Sequence, residues 1–296
     1  MKTFSRRELL KTTVAMAAGS SLLLSRPVKA WAHKSAQASK VVLIRERNLF
    51  ATSPSPDPDL CAQMLDRALC SLTDRKDPAE AWASILKPTD VVGIKTNVWK
   101  ELPTPPEMND LLVARVRSVG IREEDVSVDD RGVKTNPVFV RSTALINIRP
   151  MRTHAWSGVG SLLKNYITFA EKLPDYHDDS CASLATLHDL PLVKGKTRLY
   201  ILVLFTPQFH HLAASTFSEE FTWQYNGLAI GFDPVAVDSV GLRIIEAKRR
   251  EHFREDRPLN PPAKHIALAD ARYHLGTADP AKIQLTKLGW DEDSFV

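Results

Sequence analysis

Val91-Val92-Gly93-Ile94-Lys95 is a short, continuous apolar run that stops in the polar trio Lys95-Thr96-Asn97. A strand that is apolar on both faces is buried on both faces, and the helix-spaced segment that follows over Asn109–Val119 supplies a cover. The pattern repeats in both directions along the chain. Val41–Ile44 precedes a helix-spaced Asp59–Leu72, in which Leu60, Met64, Leu65, Ala68 and Leu69 share a face. Val126–Val128, Ala144–Ile148, Leu199–Phe205 and Leu228–Gly231 read as further strands. Helices are expected over Gly158–Ala170 and Val235–Lys248. Apolar strands alternating with amphipathic helices predict an α/β fold, a mostly parallel sheet covered by helices on both faces, in a single domain.

In such a sheet ligands collect beyond the carboxyl ends of the strands. Lys95, Thr96 and Asn97 close one strand; Asp129, Asp130 and Arg131 close another; Arg152, Thr153 and His154 follow a third. Gly158 and Gly160 then lead into the expected Gly158–Ala170 helix. They would let an anion approach backbone N–H groups, with Lys164 one turn further in. The segment carries neither a Walker loop nor a complete GxGxxG, so a tight loop with packed glycines explains it equally well. Further on, Asp233 reads as a helix N-cap before Pro234. Asp238 lies among Val235, Val237, Val240 and Leu242, and a carboxylate buried there needs a partner. Lys95, His154 and Lys164 are therefore expected to share a cleft, with Asp238 in reach or an anion bound. The candidate ligand-binding set is Lys95, Asn97, Thr153, His154, Gly158, Gly160, Lys164, Asn165 and Asp238.

Among the nine histidines there is no His-x-x-x-His, so a metal site would have to draw on His154 and His177 from separate segments. His177 sits with Asp175, Asp178 and Asp179 in what reads more simply as a solvated loop. There is no Gly-x-Ser-x-Gly elbow, and catalytic residues are not assigned. The three cysteines, Cys61, Cys70 and Cys181, are too few and scattered for a cluster. Cys61 and Cys70 lie too far apart along one helix to be bridged, which leaves buried free thiols or a pairing that uses Cys181.

Ser5-Arg6-Arg7-Glu8-Leu9-Leu10-Lys11 precedes the apolar Thr12–Leu24 stretch, which is thirteen residues long and too short to span a bilayer. Paired Arg6 and Arg7, this mild core and the small-residue Ala30-Trp31-Ala32 read as a cleaved twin-arginine signal over residues 1–32. That implies recognition by the twin-arginine export machinery, passage in folded form, a periplasmic or other extracytoplasmic location, and no stable membrane anchor after cleavage. A strand and linker are expected over 33–58 and the α/β domain over 59–296. The chain has 39 basic and 35 acidic side chains. Six of the basic ones and one of the acidic ones fall in residues 1–32, leaving 33 against 34. No basic face for nucleic acid is called for, and Lys248-Arg249-Arg250 reads as the solvated side of a helix.

Three blocks occur in order: Val92-Gly93-Ile94-Lys95-Thr96-Asn97; Arg152-Thr153-His154 with Gly158-Val159 and Leu163-Lys164-Asn165; and Gly231-Phe232-Asp233-Pro234-Val235-Ala236-Val237-Asp238. Together, over about residues 90–250, they resemble domain-of-unknown-function family 362 in its exported, twin-arginine-signal branch. The resemblance implies no particular reaction. Many relatives carry a ferredoxin-like segment with clustered cysteines. This chain has none, so no iron–sulfur cluster of its own is expected. Relatives also tend to show an aspartate near the end of the strand matching Leu199–Phe205, where this chain has no acid. Two readings stand: a cofactor- or ligand-dependent exported enzyme, or a non-catalytic binding protein or assembly factor using the same cleft for a small anion or metal.

Overall fold

Along β1 (Ser39–Arg45), Val41 and Leu43 enter one core while Val42 and Ile44 enter another, because successive side chains of a strand leave on opposite faces. The computed structural model describes residues 38–211 and 217–296. The signal reading over 1–32, with Arg6 and Arg7, lies outside the described residues. In chain order β1 is followed by helices α1 (Pro58–Thr73) and α2 (Pro78–Ile85), strand β2 (Val92–Lys95), helix α3 (Pro106–Ser118), strand β3 (Val126–Asp129) and the single turn α4 (Pro137–Val140). Next come β4 (Ala144–His154), β5 (Gly158–Gly160), the short helix α5 (Leu162–Asn165), β6 (Thr197–Gln208), β7 (Gly227–Gly231), α6 (Pro234–Phe253), α7 (Lys264–Ala271) and β8 (Ile283–Gly289).

The strands form one sheet in the order β3-β2-β4-β6-β7-β1-β8, with β5 attached to β4. β3, β2, β4 and β6 are mutually parallel; β7 is antiparallel to both β6 and β1, and β8 is parallel to β1. The sheet is thus mixed and mostly parallel. One core packs α1, α2 and α3 on Val42, Ile44, Val92, Ile94, Ile146, Ile148, Ile201 and Val203. The other packs α5, α6 and α7 on Val41, Leu43, Leu145, Leu202 and Leu204. Each fully buried Val, Ile or Leu contributes about 1.5–3 kcal/mol relative to exposure. The expected interior strands Val91–Ile94, Ala144–Ile148 and Leu199–Phe205 lie side by side in this sheet.

Helix starts follow their local chemistry. The Asp57 carboxylate accepts from the N–H groups of Asp59 and Leu60, and Asp233 does the same for Val235 and Ala236, each ahead of a proline. Asp233 also accepts from the Ser39 hydroxyl and the Thr277 N–H, tying β1 and the C-terminal segment to the start of α6.

Three expectations change. Residues 158–170 are not one helix: Gly158–Gly160 is a strand that folds back antiparallel on the end of β4, and the helix proper spans only Leu162–Asn165 before a 3-10 turn over Tyr166–Phe169. Gly158 has φ +72, outside helical space, and the β-branched Ile167 and Thr168 favour helix poorly. The domain does not begin at residue 59, since β1 lies within the sheet between β7 and β8, and residues 38–296 form one compact unit. Arg249 is not on a solvated face: it is buried and donates to the carbonyls of Phe209, Arg257 and Pro258. Cys61, Cys70 and Cys181 are all free thiols. No helix among the described residues is long and apolar enough to cross a membrane.

Candidate functional site

β4 is longer than the expected Ala144–Ile148. Its partner β2 ends at Lys95, opposite Asn147, and β4 continues seven residues further to His154, where β5 folds back on it. This overhang at the carboxyl ends of the parallel strands carries Arg149, Arg152 and His154 over a cleft of about 330 Å³. Asn97, Asp130 and Arg131, beyond β2 and β3, Lys164 and Asn165 of α5, and Thr168 and His177 complete its polar lining. Trp99, Trp156, Ile167 and Leu173 form an aromatic and apolar surround, with Trp156 half-exposed at the rim.

Lys95, expected to share the cleft with His154 and Lys164, does not line it and is fully buried behind its wall. Its Nζ donates to Asp130 Oδ1 at 2.5 Å, to the Thr96 carbonyl and to Asn165 Oδ1. Burial lowers its pKa to about 8 against the pull of Asp130, so the ammonium persists at neutral pH. Burial opposes ionisation of Asp130, but Lys95, the Val98 N–H and Arg149 outweigh it and hold the carboxyl below its ordinary range. Asn165 donates to Asn147 Oδ1 and to the carbonyls of Lys95 and Ile148, pinning α5 to β2 and β4.

Arg149 is the residue that sequence reading passed over. It is 4% exposed, and none of its nitrogens is hydrogen-bonded or ion-paired among the described residues. Burial lowers its pKa to about 10, offset by the more distant charges of Asp130 and Asp238, so it remains a cation. Gly160 makes room for it: a Cβ there would lie 2.6 Å from a guanidinium nitrogen. Arg152 stacks on the Trp99 ring at 3.7 Å and donates to the Thr153 carbonyl, while its Nε has no partner among the described residues. Lys164, 3% exposed, has a single polar partner among the described residues, the Cys181 thiol at 3.5 Å. Burial, Arg149 and Arg152 lower its pKa to about 8. Arg149, Arg152 and Lys164 thus face one cleft beside Arg131, and among the described residues no carboxylate is bonded to any of them.

The remaining expected residues are placed as follows. His154 lines the cleft as a neutral imidazole, because burial and the charges of Arg152, Lys164 and Arg149 push its pKa far down. Its Nδ1 accepts from the Trp156 N–H, which assigns the proton to Nε2. Thr153 and Gly158 lie in the β4–β5 hairpin rather than on the cleft, and a Cβ on Gly158 would meet the Ala263 backbone at 2.6 Å. Asp238 is within reach of α5 but not of the cleft: its carboxylate accepts from the Ser161 hydroxyl and the N–H groups of Leu162 and Leu163. The positive helix start expected to face an anion is thus already occupied by this carboxylate. Burial raises its pKa to about 6, against the pull of those three donors.

His154 and His177 each pack on the Trp156 indole. Among the described residues no three His, Cys, Asp or Glu side chains converge as a metal-binding group. The alternation Asn147, Arg149 in an otherwise apolar strand was the available signal for Arg149. No family model, curated protein or solved structure matches the chain.

Proposed function

We propose that this chain is an exported α/β protein of the family 362 type whose cleft at the strand carboxyl ends binds a small anionic ligand. The observation that carries the reading is the buried guanidinium of Arg149, unpaired among the described residues and flanked by Arg152 and Lys164. A buried charge is costly without a partner, and a carboxylate or phosphate group is the partner whose planar or branched oxygens suit a guanidinium. The cationic surroundings of His154 and His177 disfavour a metal cation there. The sequence of residues 1–32 supports delivery by the twin-arginine machinery and a periplasmic site of action. The charge balance beyond the signal gives no support to a nucleic-acid partner. The same cleft serves an enzyme or a non-catalytic binding protein.

Titration calorimetry of the signal-free protein with inorganic phosphate and with small mono- and dicarboxylates tests the binding step. Saturable one-site binding that Arg149→Gln abolishes is the expected result. Heats that are non-saturating, or unchanged in the variant, would overturn it.

A further inference from the structure

Of the cations that line the cleft, Arg131, Arg149 and Arg152 are guanidiniums and offer no amine. Lys164 differs in kind, because an amine that loses its proton becomes a nucleophile. Its surroundings favour that loss. Arg149, Arg152 and His154 face it from the β4 overhang, His177 and Cys181 from the segment after α5, and His265 from α7. None of these is a carboxylate, and among the described residues the only group bonded to Nζ is the Cys181 thiol, which burial keeps protonated.

We infer that Lys164 adds to the carbonyl carbon of an anionic substrate, a short 2-oxo acid in chemical class, whose carboxylate is held by Arg149. The inference rests on the anion-cleft reading and deepens it. The unprotonated amine forms a C–N bond to the ketone carbon as the carbonyl π pair moves to oxygen. The two nitrogen protons then leave with that oxygen as one water, and a C=N bond remains. No oxidant or reductant enters. Arg149 and Lys164 line the same cleft of about 330 Å³, a volume suited to a substrate of a few heavy atoms with some water. The pKa of Lys164, lowered to about 8, leaves a large unprotonated fraction at mildly alkaline pH. Exposed lysines such as Lys100 and Lys172 have no such surroundings.

The test uses the signal-free chain at pH 8 with pyruvate and cyanoborohydride, which reduces an imine to a stable secondary amine, followed by peptide mass spectrometry. Lys164 should be labelled at least about tenfold faster than Lys100 or Lys172, since each unit of lowered pKa raises the free-amine fraction of a mostly protonated lysine about tenfold. Arg149→Met should remove the preference for pyruvate over acetone as the carbonyl. Lys164→Arg, which keeps a cation in the cleft but no amine, should lose the label. Labelling spread evenly over exposed lysines, with phosphate still bound, would overturn the inference and leave the anion cleft standing. Absence of phosphate binding in the unaltered protein would instead overturn the cleft reading itself.

Discussion

The guanidinium of Arg149 lies where a side chain on Gly160 would be, with a nitrogen 2.6 Å from the position of the missing Cβ. The β4–β5 hairpin therefore buries a cation and shapes the cleft in one step. Gly160→Ala should displace Arg149, lower stability by about 1–3 kcal/mol as an overpacking change, and weaken anion binding. Urea midpoints and phosphate titration on the same sample read both effects, and a neutral result in both would show that Arg149 is free to move.

Asp238 contributes to the cleft from behind, by holding the start of α5. Asp238→Asn keeps the shape but turns an amide NH2 toward donors, so it should cost about 2–3 kcal/mol, the scale of hydrogen bonds to a charged group. The pH dependence has a definite sign. The folded-state pKa, raised to about 6, exceeds the unfolded value near 4, so the folded form binds the extra proton between those limits. This group's contribution therefore falls as pH rises from about 4 to about 6. The variant should flatten that slope in denaturation curves taken across the window, and an unchanged slope would assign it to other groups.

Asp130 and Lys95 form a buried pair, and removing one charge leaves the other uncompensated. Asp130→Asn should destabilise the protein by about 3–5 kcal/mol, and the double change Lys95→Met with Asp130→Leu should recover part of that loss. A double variant no more stable than the single one would mean that Asp130 acts mainly through its bond to the Val98 N–H.

The fold was legible in the sequence to the extent that strands are apolar runs. β2, β6 and β7 are buried on both faces, and their runs state it directly. β8 was not seen, because it is a half-exposed edge strand in which Ile283, Leu285 and Leu288 are diluted by Gln284, Thr286 and Lys287. Helix α5 was overextended because Gly158 and Gly160 resemble a helix entrance in one dimension, and only the packing of Ala263 and Arg149 against them shows a hairpin. His154 is found on the cleft by reasoning from strand ends, whereas Lys164 is reached from a glycine-opened helix start that the structure replaces with a hairpin. Arg149 was missed because what distinguishes it is the absence of a partner, a property of residues distant in sequence.

The export reading makes its own prediction. Replacing Arg6 and Arg7 with Lys should leave an intact precursor in the cytoplasm, because the pair is a receptor-read address. Fractionation with an antibody to the mature chain measures this. Processed protein outside the cytoplasm at the normal level would exclude the twin-arginine route.

The most direct measurement of the central claim is thermal unfolding of the unaltered protein and of Arg149→Met, each in chloride and in phosphate buffer. An unpaired buried guanidinium held for a ligand makes the empty protein less stable than it could be. In chloride, Arg149→Met should therefore be more stable, by about 1–3 kcal/mol, or a rise of some 2–4 °C per kcal/mol for a domain of this size. Phosphate should raise the melting temperature of the unaltered protein and leave that of the variant where it was. A variant that melts lower in chloride and responds to phosphate as the unaltered protein does would contradict the account.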